Sequence, residues 1–292
     1  MPYKVTEACA PPNVPLVGIE RRCVEAAVPG ASIYLEITGP ADGGATPVVL
    51  CHGAGGNHAI WFRQVAAMAH ERTVVTWDHR GFGRTHADDG IGEPAVSRDD
   101  VGAVLDAVEI ERAHLVAQSM GGWTALGFTI AHPERVVSLT LADTVAGIGT
   151  DAVARNWGEY LERRKQAGDR EGYGDSFALG QRFLRDDPIG AALYQAIGSL
   201  NPDLPQERLS AMLTTTWPID EIAAVTAPTL FVVGGEDDIF PPAVIQDCAR
   251  VVPGATVAQV PGTGHSPYFE APAVWNGIVT DFLAATDRLT TA

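Results

Sequence analysis

The sequence predicts an α/β protein: a mostly parallel eight-stranded sheet flanked by helices, with a helical cap inserted late in the chain. Two observations carry this. Short β-rich runs alternate with longer helical patterns through most of the 292 residues, as βα units on a parallel sheet require. Between Asp143 and Thr229 lie about 85 residues of helical character with no convincing strand, far more than an ordinary connection needs. Hydrophobic residues at 46% and charged residues at 19% are enough to bury a sizeable core.

Strands are predicted near Arg22 to Val28, Ser32 to Thr38, Pro47 to Cys51, Thr73 to Trp77, Ala113 to Ala117, Val137 to Leu141, Thr229 to Val233 and Thr256 to Val260. The first two, joined across Pro29-Gly30, read as an antiparallel hairpin at one edge of the sheet. Helices are predicted over Ala59 to His70, Val96 to Val108, Met120 to Ala131, Pro242 to Val251 and Pro267 to Ala284. The chain then divides into an extended leader over 1–20 with Pro11, Pro12 and Pro15, a first core part over 21–145, the cap over 146–220 and a second core part over 221–292. The cap carries Trp157, Tyr160, Tyr173, Phe177, Phe183, Tyr194 and Trp217, and Pro202, Pro205 and Pro218 punctuate its helices.

Twenty Lys and Arg stand against 36 Asp and Glu, a formal charge of −16 that repels nucleic acid and anionic membrane surfaces. The four cysteines, Cys9, Cys23, Cys51 and Cys248, form no CxxC pair and no Cys/His cluster at ligand spacing, so neither zinc nor a disulfide framework is indicated. Residues 1–20 lack a basic segment followed by an apolar run, and no stretch reaches the length of a membrane span, so a cytoplasmic location is expected.

Chemistry concentrates at the ends of predicted strands. Leu115-Val116-Ala117-Gln118-Ser119-Met120-Gly121-Gly122 runs from an apolar strand through a tight turn into a helix, presenting Ser119 on a turn that demands small neighbours. Alone, Ser119 would read as a helix N-cap. Downstream, Pro228 to Asp238 is a buried strand ending in acids, and Gly262-Thr263-Gly264-His265 puts a histidine on a glycine-rich loop after another strand. A serine hydroxyl is a weak nucleophile until a base takes its proton, and an acid behind the base fixes the imidazole tautomer.

The order serine, acid, histidine resembles that of the α/β-hydrolases, and the resemblance spans about Ala31 to Leu283. His52-Gly53-Ala54-Gly55-Gly56, Asp78-His79-Arg80-Gly81-Phe82-Gly83 and Gly264-His265-Ser266-Pro267 support it, all in the family's order. Ala117 stands where the elbow pattern has its first glycine. The resemblance implies Ser119 as nucleophile, His265 as base and Asp237 as acid, with an oxyanion hole made by the backbone N–H groups of Ala54 and Met120. Asp237 is selected by its spacing from Pro228 and by Pro241 four residues on. Asp238, four before Pro242, and Asp143, after the sixth predicted strand of the core, remain alternatives. His52 is expected to brace its loop, and Asp78 and Arg80 to form a buried pair that shapes theirs.

Serine at the nucleophile position argues for acyl transfer, and therefore for an ester, lactone or thioester substrate that is small and apolar. The pocket is expected to draw on Trp61, Trp123, Trp157 and Trp217, with further apolar walls from Phe62, Tyr268 and Phe269. Hydrolytic C–C cleavage of a β-diketone or ring-fission product is the nearest alternative. It is weakened because Ser266 and Gln118 stand where the resemblance to that group has Trp and Asn. A cofactor-independent oxygenase and a small-molecule receptor on the same scaffold are the remaining readings. No cofactor or metal is expected; the expected partner is a small-molecule substrate, and a homo-oligomer stays open.

Overall fold

The computed structural model describes residues 18–40, 44–88, 93–167, 178–203, 210 and 213–290. Most of the expected leader, with Pro11, Pro12, Pro15 and Cys9, lies outside them, as do Tyr173, Phe177 and Pro205 of the cap.

Strands covered on both faces should read as unbroken apolar runs, and the central ones do. β3 (Ala45–Cys51) is buried from Val48 onward, and β6 (Ala113–Gln118), β7 (Val136–Ala142) and β8 (Thr229–Gly234) are buried throughout. At the margins β1 (Ile19–Glu25) and β9 (Thr256–Val260) alternate or lie exposed. β2 (Ala31–Thr38) and β4 (Arg72–Trp77) complete the path, in the order β1-β2-β4-β3-β6-β7-β8-β9. Along this path the β1–β2 and β2–β4 pairs are antiparallel and the remaining pairs parallel. The expected hairpin is present, turning at Gly30 with φ +101°. A ninth, two-residue strand, β5 (His86–Ala87), pairs with β2 off this path; it is too short to show period-two alternation in the sequence.

From β3 the chain goes outward to β4 and then returns to β6 on the other side. The carboxyl ends of β3 and β6 therefore flank a topological switch point, where open α/β sheets bind ligands. Strand alternation splits the core into two layers. Val49, Cys51, Leu115 and Ala117 face one way, packing with residues of α2 (Pro94–Ala107), α3 (Gly121–Ala131) and α8 (Pro242–Ala249). Val48, Leu50 and Val116 face the other, with Met68 of α1 (Phe62–Met68) and Trp275, Val279 and Leu283 of α10 (Pro272–Thr290).

Two expected helices are subdivided. The first is a 3₁₀ turn at His58–Trp61, capped by Asn57, followed by α1. The last breaks at Ala271 (φ −133°, ψ 59°) into α9 (Pro267–Glu270) and α10, because the ring of Pro272 disfavours helical backbone in the residue before it.

Between β7 and β8 the described chain forms α4 (Asp151–Ala167), α5 (Gln181–Asp186), α6 (Pro188–Gly198) and α7 (Ile219–Ala223). Its two ends meet where Trp217 N–H donates to the Gly147 carbonyl at 2.9 Å. A methyl on Gly147 would lie 2.8 Å from the Trp217 ring, so the closure needs glycine there. Among the described residues no helix is long and apolar enough to cross a membrane.

Candidate active site

Ser119 follows β6 in the left-handed region, φ +48°, a backbone state that costs a non-glycine residue and persists only where the surroundings hold it. Its N–H donates to Ala142 O of β7 at 2.9 Å, and its carbonyl accepts from Thr144 Oγ1 at 2.7 Å and from Gly122 N–H. The turn is pressed from both sides. A methyl on Gly121 would meet the His52 carbonyl at 2.8 Å, one on Gly122 the Thr144 side chain at 2.6 Å, and one on Gly53 the Ser119 Cβ at 3.0 Å. The small residues of the motif are therefore there because two strand ends and a helix start share one space. Ala54 follows Gly53 on the loop after β3, and Met120 follows Ser119 at the start of α3. Among the described residues, neither N–H donates to a protein acceptor.

His265 lies on the loop after β9, buried, with Nε2 2.9 Å from Ser119 Oγ and Nδ1 2.9 Å from Asp237 Oδ2. A carboxylate can only accept, so Nδ1 carries the proton, Nε2 accepts, and the serine hydroxyl donates. Asp237 Oδ1 accepts the N–H groups of Ile239 (2.8 Å) and Phe240 (3.1 Å), which hold the carboxylate in place. Gln118 ties the histidine's own carbonyl to the serine turn at 3.0 Å. Of the alternative acids, Asp238 is exposed, whereas Asp143 is fully buried next to Asp237.

The β3 loop is braced as expected. His52 Nε2 accepts from His79 N–H, so its Nδ1–H donates to the Gly53 carbonyl at 2.8 Å. Burial pushes His52 down to about 4, keeping it neutral. The expected pairing of Asp78 with Arg80 does not form. Arg80 makes a two-pronged ion pair with Asp100 of α2 at 2.7 and 3.0 Å, while Asp78 accepts from His58 and from Arg84 N–H. The two side chains are both buried but serve different neighbours.

The tryptophans expected at a pocket separate. Trp61, fully buried, lies 4.8 Å from the Tyr268 ring and 6.2 Å from Trp275, in the layer shared with α10. Trp123 is buried and donates Nε1–H to the Thr215 carbonyl at 2.9 Å, bracing the foot of the cap, and Trp217 wedges between Gly127 and Gly147. Trp157 stacks on Phe240 (6.1 Å, 18°), whose ring is 5.8 Å from His265. Two groups went unassigned in the sequence. Tyr194 of α6 reaches from the cap to Ser266, its hydroxyl 3.0 Å from Ser266 Oγ. Glu270 of α9 accepts the N–H groups of Gly264, Ser266 and Gly180; burial pushes its carboxyl up, opposed by those donors. Only the pattern of aromatics in the cap hinted at Tyr194, and nothing local hinted at Glu270.

A sheet of this topology with serine, histidine and acid meeting at its switch point defines a class, the hydrolases of the α/β fold. A family model for the alpha/beta hydrolase fold matches residues 46–272, and the chain belongs to that family. Over 265 residues it is 28% identical to the protein of Azorhizobium caulinodans named "Putative carbamate hydrolase RutD", covering 88% of this chain and 97% of that one. Over 268 residues it is 32% identical to the 2-hydroxymuconate semialdehyde hydrolase of Pseudomonas sp. (strain CF600), covering 84% and 89%. The solved structure of Est816, described as an N-acyl homoserine lactone degrading enzyme, matches with a TM-score of 0.72 at 27% identity, covering 89% of this chain and all of that one.

Proposed function

We propose that this hydrolase cleaves a carboxylic ester or lactone of a small apolar substrate through an acyl-enzyme, with Ser119 as nucleophile, His265 as base and then acid, and Asp237 orienting the histidine. The observation that carries this reading is the unbroken path from Ser119 Oγ through His265 to Asp237, each step 2.9 Å. His265 Nε2 takes the hydroxyl proton as Oγ attacks the carbonyl carbon. The carbonyl oxygen gains negative charge between the N–H groups of Ala54 and Met120, donors worth roughly 3 kcal/mol each to the transition state. The imidazolium returns its proton to the leaving alkoxide, and water releases the acyl group by the reverse sequence. None of these steps draws on a cofactor or metal.

A short p-nitrophenyl ester and a panel of lactones test the reading. Turnover, with mass spectrometry finding the acyl group on the peptide that contains Ser119, is the expected result. Turnover without any acyl adduct, and undiminished in Ser119→Ala, would overturn it. The likeness to the semialdehyde hydrolase favours a second reading, C–C cleavage, which product analysis on a ring-fission diketone separates. Against it, Gln118 and Ser266 are committed elsewhere, to the His265 carbonyl and to Tyr194. Oxygen consumption in place of ester turnover would indicate an oxygenase, and binding with neither would indicate a receptor.

A further inference from the structure

The proposed mechanism leaves Asp143 without a task, although it sits at the heart of the site. It follows β7 in the left-handed region (φ +48°), fully buried, its N–H bonded to Val232 O. Oδ1 accepts the Gly234 N–H at 2.7 Å. Oδ2 is buried and takes no N–H or O–H from any described residue. Ligating atoms of Asp143, Asp237 and His265 lie within 4.8 Å of one another, all three residues buried. Two carboxylates this close and shut away from water disfavour each other's charge, so one of them holds a proton. Asp237 already accepts two backbone N–H groups and the histidine N–H, whereas Asp143 Oδ2 accepts none, so Asp143 has the oxygen free to carry the proton.

We infer that Asp143 is a neutral carboxylic acid whose Oδ2–H donates to the Asp237 carboxylate, making it a positioning residue that holds Asp237 against His265 and restrains the histidine's basicity. Burial pushes its carboxyl well above the usual range, and the charges of Asp237 and Glu270 push the same way; the Gly234 N–H opposes them. The other titratable groups acting on this point, Tyr194 and Tyr268, are themselves pushed up by burial and stay neutral, so they bring no positive charge. This role rests on the proposed triad. It differs from the sequence alternative, in which an ionised Asp143 would itself bind the histidine.

Two measurements test it. In pH profiles of kcat/KM, Asp143→Ala should lower activity about tenfold, by loss of a hydrogen bond to a charged group, and move the acidic limb to higher pH. Asp143→Asn, which can still donate to Asp237, should recover most of that loss with the limb within about 0.3 unit of wild type. A limb that falls by about one unit or more in Asp143→Asn would mean that a negative charge had been removed, and would overturn the inference. The second measurement needs no turnover. Infrared spectra of Ser119→Ala at pH 8 should show the carbonyl stretch of a protonated carboxyl, shifted by carbon-13-labelled aspartate and therefore not from Glu270. Its absence refutes a neutral Asp143 even if Asp143 variants fail to fold. Its presence alongside undiminished turnover in Ser119→Ala would sink the triad reading instead.

Discussion

Two chains of serine, histidine and aspartate run through this molecule, one near each end of the sheet. At the carboxyl end stand Ser119, His265 and Asp237. Near the amino end, Ser138 Oγ lies 2.8 Å from His114 Nδ1, and His114 Nε2 lies 3.0 Å from Asp287 Oδ1. Residue types and distances barely differ. What differs is the backbone: Ser138 is an ordinary, fully buried residue of β7 paired with β6, whereas Ser119 is partly exposed on a left-handed turn. The carboxylates differ too. Asp287 also pairs with Arg72 at 3.2 Å, while Asp237 is held by backbone N–H groups and, among the described residues, pairs with no Lys or Arg. Burial pushes His114 down to about 4, so it serves as a neutral strut between β6 and α10. The comparison teaches that like residues at like distances can stand in unlike backbones: one set locks two strands and a helix together, and the other leaves its serine on a turn at the sheet's carboxyl edge.

The sharpest way to break the comparison is to delete each serine. Ser119→Ala should lower kcat by more than about 10⁴-fold with the fold intact. Ser138→Ala should leave kcat within about twofold and cost roughly 1 kcal/mol in urea unfolding, the usual worth of a buried hydrogen bond. Next come the acids. Asp237→Asn presents the wrong tautomer and should cost about 10⁴ in kcat. Asp287→Asn should spare kcat but destabilise the fold by roughly 1–3 kcal/mol, and Asp238→Asn should change neither measurably. An activity loss in the amino-end variants would erase the distinction.

Acid stability offers a third, smaller test. His52 and His114 are depressed to about 4 in the fold against about 6.5 unfolded. Their contribution is whole above pH 6.5 and is lost as pH falls toward 4, at most about 3 kcal/mol each. Unfolding followed against pH should therefore show a slope in that window that is shallower in His114→Gln. Asp143 runs the other way: its raised carboxyl favours the fold at acid pH, and the advantage fades as pH rises, so Asp143→Asn should flatten the alkaline side. Least in size, Trp157→Ala should shift preference among acyl groups severalfold while a small activated ester still reacts, since this ring stacks on Phe240, which stands between it and His265.

The central strands were legible because both faces are covered, and every expected strand, marginal ones included, lies within three residues of its observed ends. Ser119 and His265 could be found because strand, turn and small residues are contiguous in the chain. Partnerships across the fold were not. Arg80 chose Asp100 on α2 over its near neighbour Asp78, and Trp61 fell on the sheet face opposite α3, which its position after a loop does not disclose. The proximity of Asp143 to Asp237 spans 94 residues and depends on β7 and β8 lying side by side.

Glu270 has a consequence for exchanging caps between relatives. Its carboxylate grips Gly180, just before α5, with the same oxygens that hold Gly264 and Ser266 on either side of His265. A methyl on Gly180 would meet Gly264 N at 2.8 Å, so only glycine brings the cap this close. The cap is thus no free module: a graft that puts a side chain at Gly180 pushes its N–H away from the partly buried carboxylate and loosens the histidine loop. A transplant beginning after Gly180 inherits the joint unchanged, and the seam for recombining this enzyme with its kin lies there.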